Sequence, residues 1–370
     1  MKFNFSGRLI FLAFTLVTAL IQSCTHDPSP SIRAGQSGFF VVNEGAYGNG
    51  NASLSFYDVK TDIMTNNVFE ARNGRKLGDQ AQSMALFENK GYIVVQNSSK
   101  VEVINIDDFS SIATIVTDQL VPGSNELQSP RYFLGITSAK GYVSDWGLDG
   151  VTGTVKVVDL SSFKVIKTIP TGLGANQMLK VNNLVFVTNN GGYGNDNTIK
   201  VIDTGTDAVI STIPTGDNPN SIQRDKDGNL WVACSGKIVY NTDFSINTTA
   251  STKGALIKLN ANNSEVLRLT VDTFVFSTIG NLQISPDGAT LYYTFDDKLY
   301  SMAVTATSLP GAPFISTGYY GIAVNPSNGN IIGCQAPSFS SAGSVDVFDP
   351  SGKLVNNYPV GIGPNGCAFK

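Results

Sequence analysis

The chain has 370 residues and a formal net charge of −4, with 15% charged residues against 37 glycines. It carries no basic stripe of the kind nucleic-acid binders show, which excludes that partner class, and an apolar share of 42% is ample for a core. The length suits one large all-β ring or two smaller domains.

Residues 1–24 read as a targeting segment. Lys2 and Arg8 make a positive start, and Leu9 to Ile21 is apolar but too short for an ordinary membrane span. The segment ends at Ile21, Gln22, Ser23 and Cys24, which resembles a bacterial lipobox with Cys24 as the lipidated first mature residue. A plain secretory signal with an incidental cysteine is the other reading. Residues 25–37 open with Thr25, His26, Asp27, Pro28, Ser29 and Pro30 and form a flexible tether by composition. Asp27 beside the lipid resembles the acidic export tags of Bacteroidetes surface lipoproteins.

Residues 38–370 carry a repeat of four strands. An opening strand starts at Pro, Asn or Gly, and a second apolar strand follows, as at Tyr92–Val95 and Leu184–Val187. The third strand alternates, as in Val155–Asp159, Ile199–Asp203 and Val345–Asp349. The fourth is Val165–Gly172, matched by Val209–Gly216. Alternating β-branched runs bounded by Gly, Asn, Asp and Pro are the strand signal, and a period of roughly forty residues with four strands is the propeller signature. Gly38–Asn43 reads as a second strand with no first strand before it, whereas Gly363–Lys370 reads as an opening strand at the chain's end. The expected fold is therefore all-β, a seven-bladed propeller closed by the C-terminal strand. Its units are 363–370 joined to 38–69, then 78–116, 127–172, 174–216, 218–272, 279–317 and 319–361, the sixth being the least regular. The Asp227-Gly228 and Asp287-Gly288 pairs read as hairpin turns, with a metal site from Asp225, Asp227 and Asn229 as a remoter use of the first.

Loops between second and third strands share one face of a propeller with the links from each fourth strand to the next unit. Here Asn43–Asn51 recurs as Asn189–Asn197, Asp145–Gly150 takes the same slot, Ser235–Lys253 is a long insertion and Gln335–Gly343 fills the seventh unit. Each presents an aromatic among Gly, Asn or Ser, which suits a neutral, amide-rich or sugar-like ligand; packing of loop bases is the alternative for Tyr47, Trp146 and Tyr193. The opening-strand starts ring the axis on that face with Gln80, Gln82, Arg131, Tyr132, Asn176 and Gln177. The ring continues with Asn220, Asn281, Tyr319, Tyr320 and Asn365, although Asn also caps turns. The expected ligand contacts are Tyr47, Gln82, Arg131, Tyr132, Trp146, Asn176, Tyr193, Asn220, Tyr240, Tyr320 and Phe339.

The only histidine is His26 in the tether, so neither a Ser-His-Asp nor a Cys-His set can form and no His-based metal site is expected. Glu44, Asp145 and Asp196 sit on loops and read as turn residues. Beyond Cys24, the cysteines Cys234, Cys334 and Cys367 are odd in number and lie in apolar strands, where they read as small buried hydrophobes rather than disulfide partners or metal ligands.

Gly38–Gly45, Asn51–Asp58, Gly78–Met84, Gly91–Ser99 and Asp217–Ile222 with Leu230–Cys234 resemble the Bacteroidetes surface propeller lipoproteins, YncE-like seven-bladed proteins. The resemblance spans essentially residues 38–370. Its best understood members are the BtuG-type cobalamin-binding proteins, which cap a TonB-dependent outer-membrane transporter. The resemblance implies a lipid-anchored, surface-exposed outer-membrane protein, and the lack of a histidine outside the tether and of an evident carboxylate pair makes a binder without a cofactor, not an enzyme, the expectation. It would capture a ligand, a corrinoid such as cobalamin, for a TonB-dependent receptor. A propeller lyase or hydrolase using loop carboxylates, and a structural or adhesive surface protein, are the alternatives.

Overall fold

The computed structural model describes residues 37–116, 126–274 and 279–370. Cys24 and the tether up to residue 36 lie outside the described residues. Those described form seven antiparallel sheets arranged as the blades of a seven-bladed β-propeller. The first blade runs from axis to rim as Pro364–Phe369, Gly38–Asn43, Ser53–Asp58 and Ile63–Thr65. The sixth has three strands, Gly280–Ile284, Thr290–Phe295 and Lys298–Ala303, and a single bridge from Ile315 to Leu299 stands where a fourth would be. Each other blade follows the chain through four neighbouring strands.

Second strands are pressed between neighbouring blades, so both their faces must be apolar. Gly38–Asn43 and Leu230–Cys234 are buried at every position. Fourth strands lie at the rim and alternate instead, as Lys164–Pro170 does. The core is accordingly a set of layers between blades. Phe40, Phe56 and Phe109 pack together between the first and second blades, and the Tyr92 ring stacks on Phe133 at 3.8 Å between the second and third. Cys234 and Cys334 are buried, Cys367 is half-buried, and all three are free thiols.

Both ends of the described chain meet in the first blade. Phe39 pairs with Phe369 and Val41 with Cys367, and the Lys370 and Gly38 amides exchange hydrogen bonds of 2.8 and 3.3 Å. One short helix, Val68–Asn73, was not legible in the sequence. It follows the first blade's rim strand, buries Val68 and Phe69, and ends on Gly74, whose left-handed conformation lets its amide bond to Glu70.

Among the described residues no helix is long and apolar enough to cross a membrane. Asp225 is a turn residue: its carboxylate accepts from the Asp227 and Asn229 amides and from the Trp231 indole. Asp227-Gly228 and Asp287-Gly288 lie in hairpin turns, between Pro219–Arg224 and Leu230–Cys234 and between Gly280–Ile284 and Thr290–Phe295, while two-residue turns with left-handed backbone occur at Glu88-Asn89 and Asp296-Asp297.

Candidate functional site

The opening strands of all seven blades line an axial channel of about 1120 Å³. Its mouth is set by the first side chains of those strands, including Asn365, Gln82, Arg131, Asn176, Asn220, Asn281 and Tyr320. Of the expected contacts, Gln82, Arg131, Tyr132, Asn176, Asn220 and Tyr320 line this channel together.

The asparagines are there for a structural reason as well. Each donates its amide to a main-chain carbonyl of the next blade. Asn176 reaches Asn220 O at 2.9 Å, Asn220 reaches Ile279 O at 2.9 Å, and Asn281 reaches Tyr320 O at 3.1 Å. Asn365 on the closing strand reaches Gln82 O at 2.9 Å and Ala81 O at 3.2 Å. An opening strand has carbonyls facing the gap to its neighbour, and a short amide is the side chain that spans it. The brackets use amide hydrogens only, and the side-chain oxygens of Asn176 and Asn365 are left buried with no hydrogen-bond partner among the described residues.

Glu44, the first residue after the strand Gly38–Asn43, also lines the channel and is 5% exposed. The Tyr320 hydroxyl donates to both its oxygens at 3.2 Å, and Asn365 donates to Oε1 at 2.8 Å. Burial holds this carboxyl above its ordinary range, while the two hydrogen bonds and the charge of Arg131 pull it back down. Burial, reinforced by the Glu44 charge, pushes the Tyr320 phenol up. Burial likewise pulls the Arg131 guanidinium below its ordinary value, opposed by Tyr132 and Glu44. Asp145 and Asp196, by contrast, bind loop amides: Asp145 accepts from Gln128 and Gly147, and Asp196 from Leu173 and Thr198.

The remaining expected contacts stand outside the channel lining. Trp146 is buried one layer back, with Arg131 over its ring at 3.9 Å and Tyr193 edge-on at 5.9 Å. Tyr193 is 81% exposed, and its ring lies against Gly150, where a Cβ would come within 2.3 Å of it. Phe339 meets Tyr320 edge-on at 5.2 Å. Tyr47 and Tyr240 stand exposed on the first- and fifth-blade loops; the former loop is pinned by a Gly48 amide bond to Asp79 at 2.9 Å. The sequence reading missed Glu44 and Gln96. Both occupy the position just after a second strand, as do the channel residues Asn190, Ser235 and Ala336, and that register is the signal that points to the mouth. Among the described residues no group of three or more His, Cys, Asp or Glu is placed to hold a metal ion.

Residues 37–363 match the family model described as a domain of unknown function, DUF5074. The chain belongs to that family. No curated protein matches it. Among solved structures, a hydrazine synthase chain from Kuenenia stuttgartiensis is 14% identical with a TM-score of 0.63, over 86% of this chain and 97% of that one. A quinonprotein alcohol dehydrogenase-like protein from Bacteroides thetaiotaomicron is 14% identical with a TM-score of 0.62, over 90% and 78%. A periplasmic gluconolactonase from Pseudomonas aeruginosa is 14% identical with a TM-score of 0.60, over 90% and 99%. At such identities the likeness is one of fold, and fold does not carry function.

Proposed function

We propose that this DUF5074 protein is a surface-exposed lipoprotein, anchored through Cys24 in the outer membrane, that captures a corrinoid such as cobalamin and passes it to a TonB-dependent transporter. The observation that carries the reading is the channel of about 1120 Å³, whose mouth takes neutral amides and hydroxyls from all seven blades, among them Gln82, Tyr132, Asn176, Asn220, Asn281 and Tyr320. Cobalamin is large, nearly neutral and edged with amides, so it calls for many modest hydrogen bonds on a preformed surface rather than a charged slot. Little ordering entropy is lost when the bonding groups already sit on strand ends. Exposed Phe339, edge-on to Tyr320, and exposed Tyr193, edge-on to Trp146, add flat apolar surface for a ligand wider than the channel.

Calorimetric titration with cyanocobalamin, with haem and neutral glycans alongside, tests the ligand. Binding at micromolar concentration or tighter is expected, and none at that level removes the corrinoid. Protease shaving of intact cells tests the location; cleavage only after lysis would place the protein in the periplasm.

A second reading, a lactonase-type hydrolase, is favoured by Glu44, a buried carboxyl with a raised pKa in a channel. The binder is preferred because both Glu44 oxygens are already engaged by Tyr320 and Asn365. Turnover of gluconolactone that disappears in Glu44→Gln would reverse that preference.

A further inference from the structure

The channel mouth holds one cation whose hydrogen-bonding capacity is mostly uncommitted. Arg131 is the only Lys or Arg among the described residues that line the channel. Its guanidinium lies against the Trp146 ring, 3.9 Å from the centroid, and donates through Nη1 to the Gln96 side-chain oxygen. Gln96 is held in turn by its own amide on Ser129 Oγ at 3.0 Å. Arg131 Nε is buried and has no hydrogen-bond partner among the described residues. Glu44 reaches Arg131 only as a charge at longer range, its own oxygens being held by Tyr320 and Asn365. A guanidinium fixed on two sides and left with free donors in a partly desolvated mouth is costly without a ligand and strongly attractive to an anion.

The surroundings of Arg131 supply the opposite polarity. Asn176 is 4% exposed and lines the channel with Oδ1 unpartnered, and Asn365 Oδ1 is likewise buried and unpartnered. Asn365 has its amide hydrogens taken by Glu44, Gln82 O and Ala81 O, and Asn176 gives one of its two to Asn220 O, so both side chains offer an unpartnered acceptor oxygen. The mouth thus combines one anion-seeking cation with acceptors that want hydroxyl or amide hydrogens.

We propose that the mouth is a composite site for an oxyanion carried on a donor-rich body. A carboxylate or phosphate takes the uncommitted N–H groups of Arg131, and hydroxyl or amide N–H groups of the same ligand donate to Asn176 Oδ1 and Asn365 Oδ1. Trp146 and Gln96 are positioning residues that hold the guanidinium's plane and edge. Where the ligand is a corrinoid, this deepens that reading and rests on it, because cobalamin carries one phosphodiester among its amides. Sugar acids and sugar phosphates share the same chemistry.

Calorimetry with cyanocobalamin and with dicyanocobinamide, the same macrocycle without the phosphodiester and the ribose and base it carries, separates the terms. Arg131→Gln should weaken cyanocobalamin about tenfold or more and dicyanocobinamide less than about twofold. Arg131→Lys should lie between, because it keeps the charge but loses the flat stacking surface. Trp146→Phe should shift cyanocobalamin alone. Equal losses for both corrinoids in a variant that melts like the wild type would overturn the proposal. If the wild type binds neither corrinoid, the corrinoid reading fails on its own, and thermal shift with gluconate, glucose 6-phosphate and glucose tests the oxyanion site. Stabilisation by an anion but not by glucose, abolished in Arg131→Gln and partly kept in Arg131→Lys, supports the site. No stabilisation by either anion, or an equal response to glucose, overturns it.

Discussion

Gly321 lies where the seventh blade meets the closing strand of the first, paired with Cys334 on its own sheet. A Cβ on Gly321 would stand 1.9 Å from the main-chain oxygen of Asn365 and 2.5 Å from its carbonyl carbon. No rotamer relieves such a contact, because the obstacle is backbone; the closing strand must retreat by roughly 1.5 Å to restore ordinary packing distance. Retreat strains the three Asn365 bonds, to Glu44 at 2.8 Å, Gln82 O at 2.9 Å and Ala81 O at 3.2 Å. Overpacking costs about 1–3 kcal/mol. Each of the three weakened bonds adds about 0.5–1.5 kcal/mol, so Gly321→Ala should destabilise by about 2.5–7.5 kcal/mol. Over roughly 330 ordered residues the unfolding entropy is about 0.7 kcal/mol/K, which places the melting point about 4–11 °C lower. Gly366 is the control. It sits on the closing strand itself, yet a Cβ there meets nothing within 4 Å. Gly366→Ala should be neutral, or stabilising by about 0.4–1 kcal/mol through the unfolded chain. Scanning calorimetry of the two variants decides the matter. Wild-type melting of Gly321→Ala, or equal shifts in both, would refute the seam argument.

Three further outcomes are expected. Removing residues 364–370 strips the partner from Gly38–Asn43, whose six positions are all buried, so the truncated protein should aggregate or lose much of its thermal stability; an unchanged melting curve would contradict closure by this strand. Glu44 is a carboxyl whose folded pKa is raised by burial, so the folded state holds its proton more tightly than the unfolded one. Wild type should therefore lose stability relative to Glu44→Gln as pH rises from about 4.5 through the folded pKa, and a melting-point difference that is constant between about pH 4 and pH 8 counts against this assignment. Burial pushes the Cys234 thiol up to about 12, so at about pH 8 folded protein should leave Cys234 unalkylated while denatured protein exposes it; rapid labelling of the folded form would show that the strand Leu230–Cys234 opens.

The ring was legible because the strand signal is local and repeats. Val155–Asp159, Ile199–Asp203 and Val345–Asp349 show the same alternation, and the tail Gly363–Lys370 is visibly a strand without a blade. Even the irregular sixth blade showed itself, since Leu291–Thr294 and Lys298–Ser301 both fall within its strands. The helix Val68–Asn73 escaped notice because six residues are too few for a period. The site was half legible. Ring residues such as Arg131 and Asn220 share a register at the strand starts, and the fold brings them to one channel. Of the loop aromatics only Trp146 has a register, the position just after the second strand Lys140–Asp145, and its burial beneath Arg131 from a neighbouring strand was not readable, while exposed Tyr193 has none.

Glu44 was read as a turn residue, because a carboxylate after a strand and before glycines usually is one. What overrides that prior is the closing strand, which brings Asn365 from the other end of the chain to within 2.8 Å of it. Asn365 is also one of the amides that brackets the first blade to the second, through Gln82 O and Ala81 O. The same side chain therefore fixes the ring and shapes its mouth. A ligand donating to the free Oδ1 of Asn365 or Asn176 would not compete with the bracket, because the bracket uses only the amide hydrogens. It would polarise that amide and strengthen the bond on its far side. Ligand binding and ring closure should thus be coupled in the same direction: the strengthened bracket appears in the affinity, so weakening the closing-strand seam should weaken binding, and the ligand should raise the melting point by the amount its dissociation constant sets.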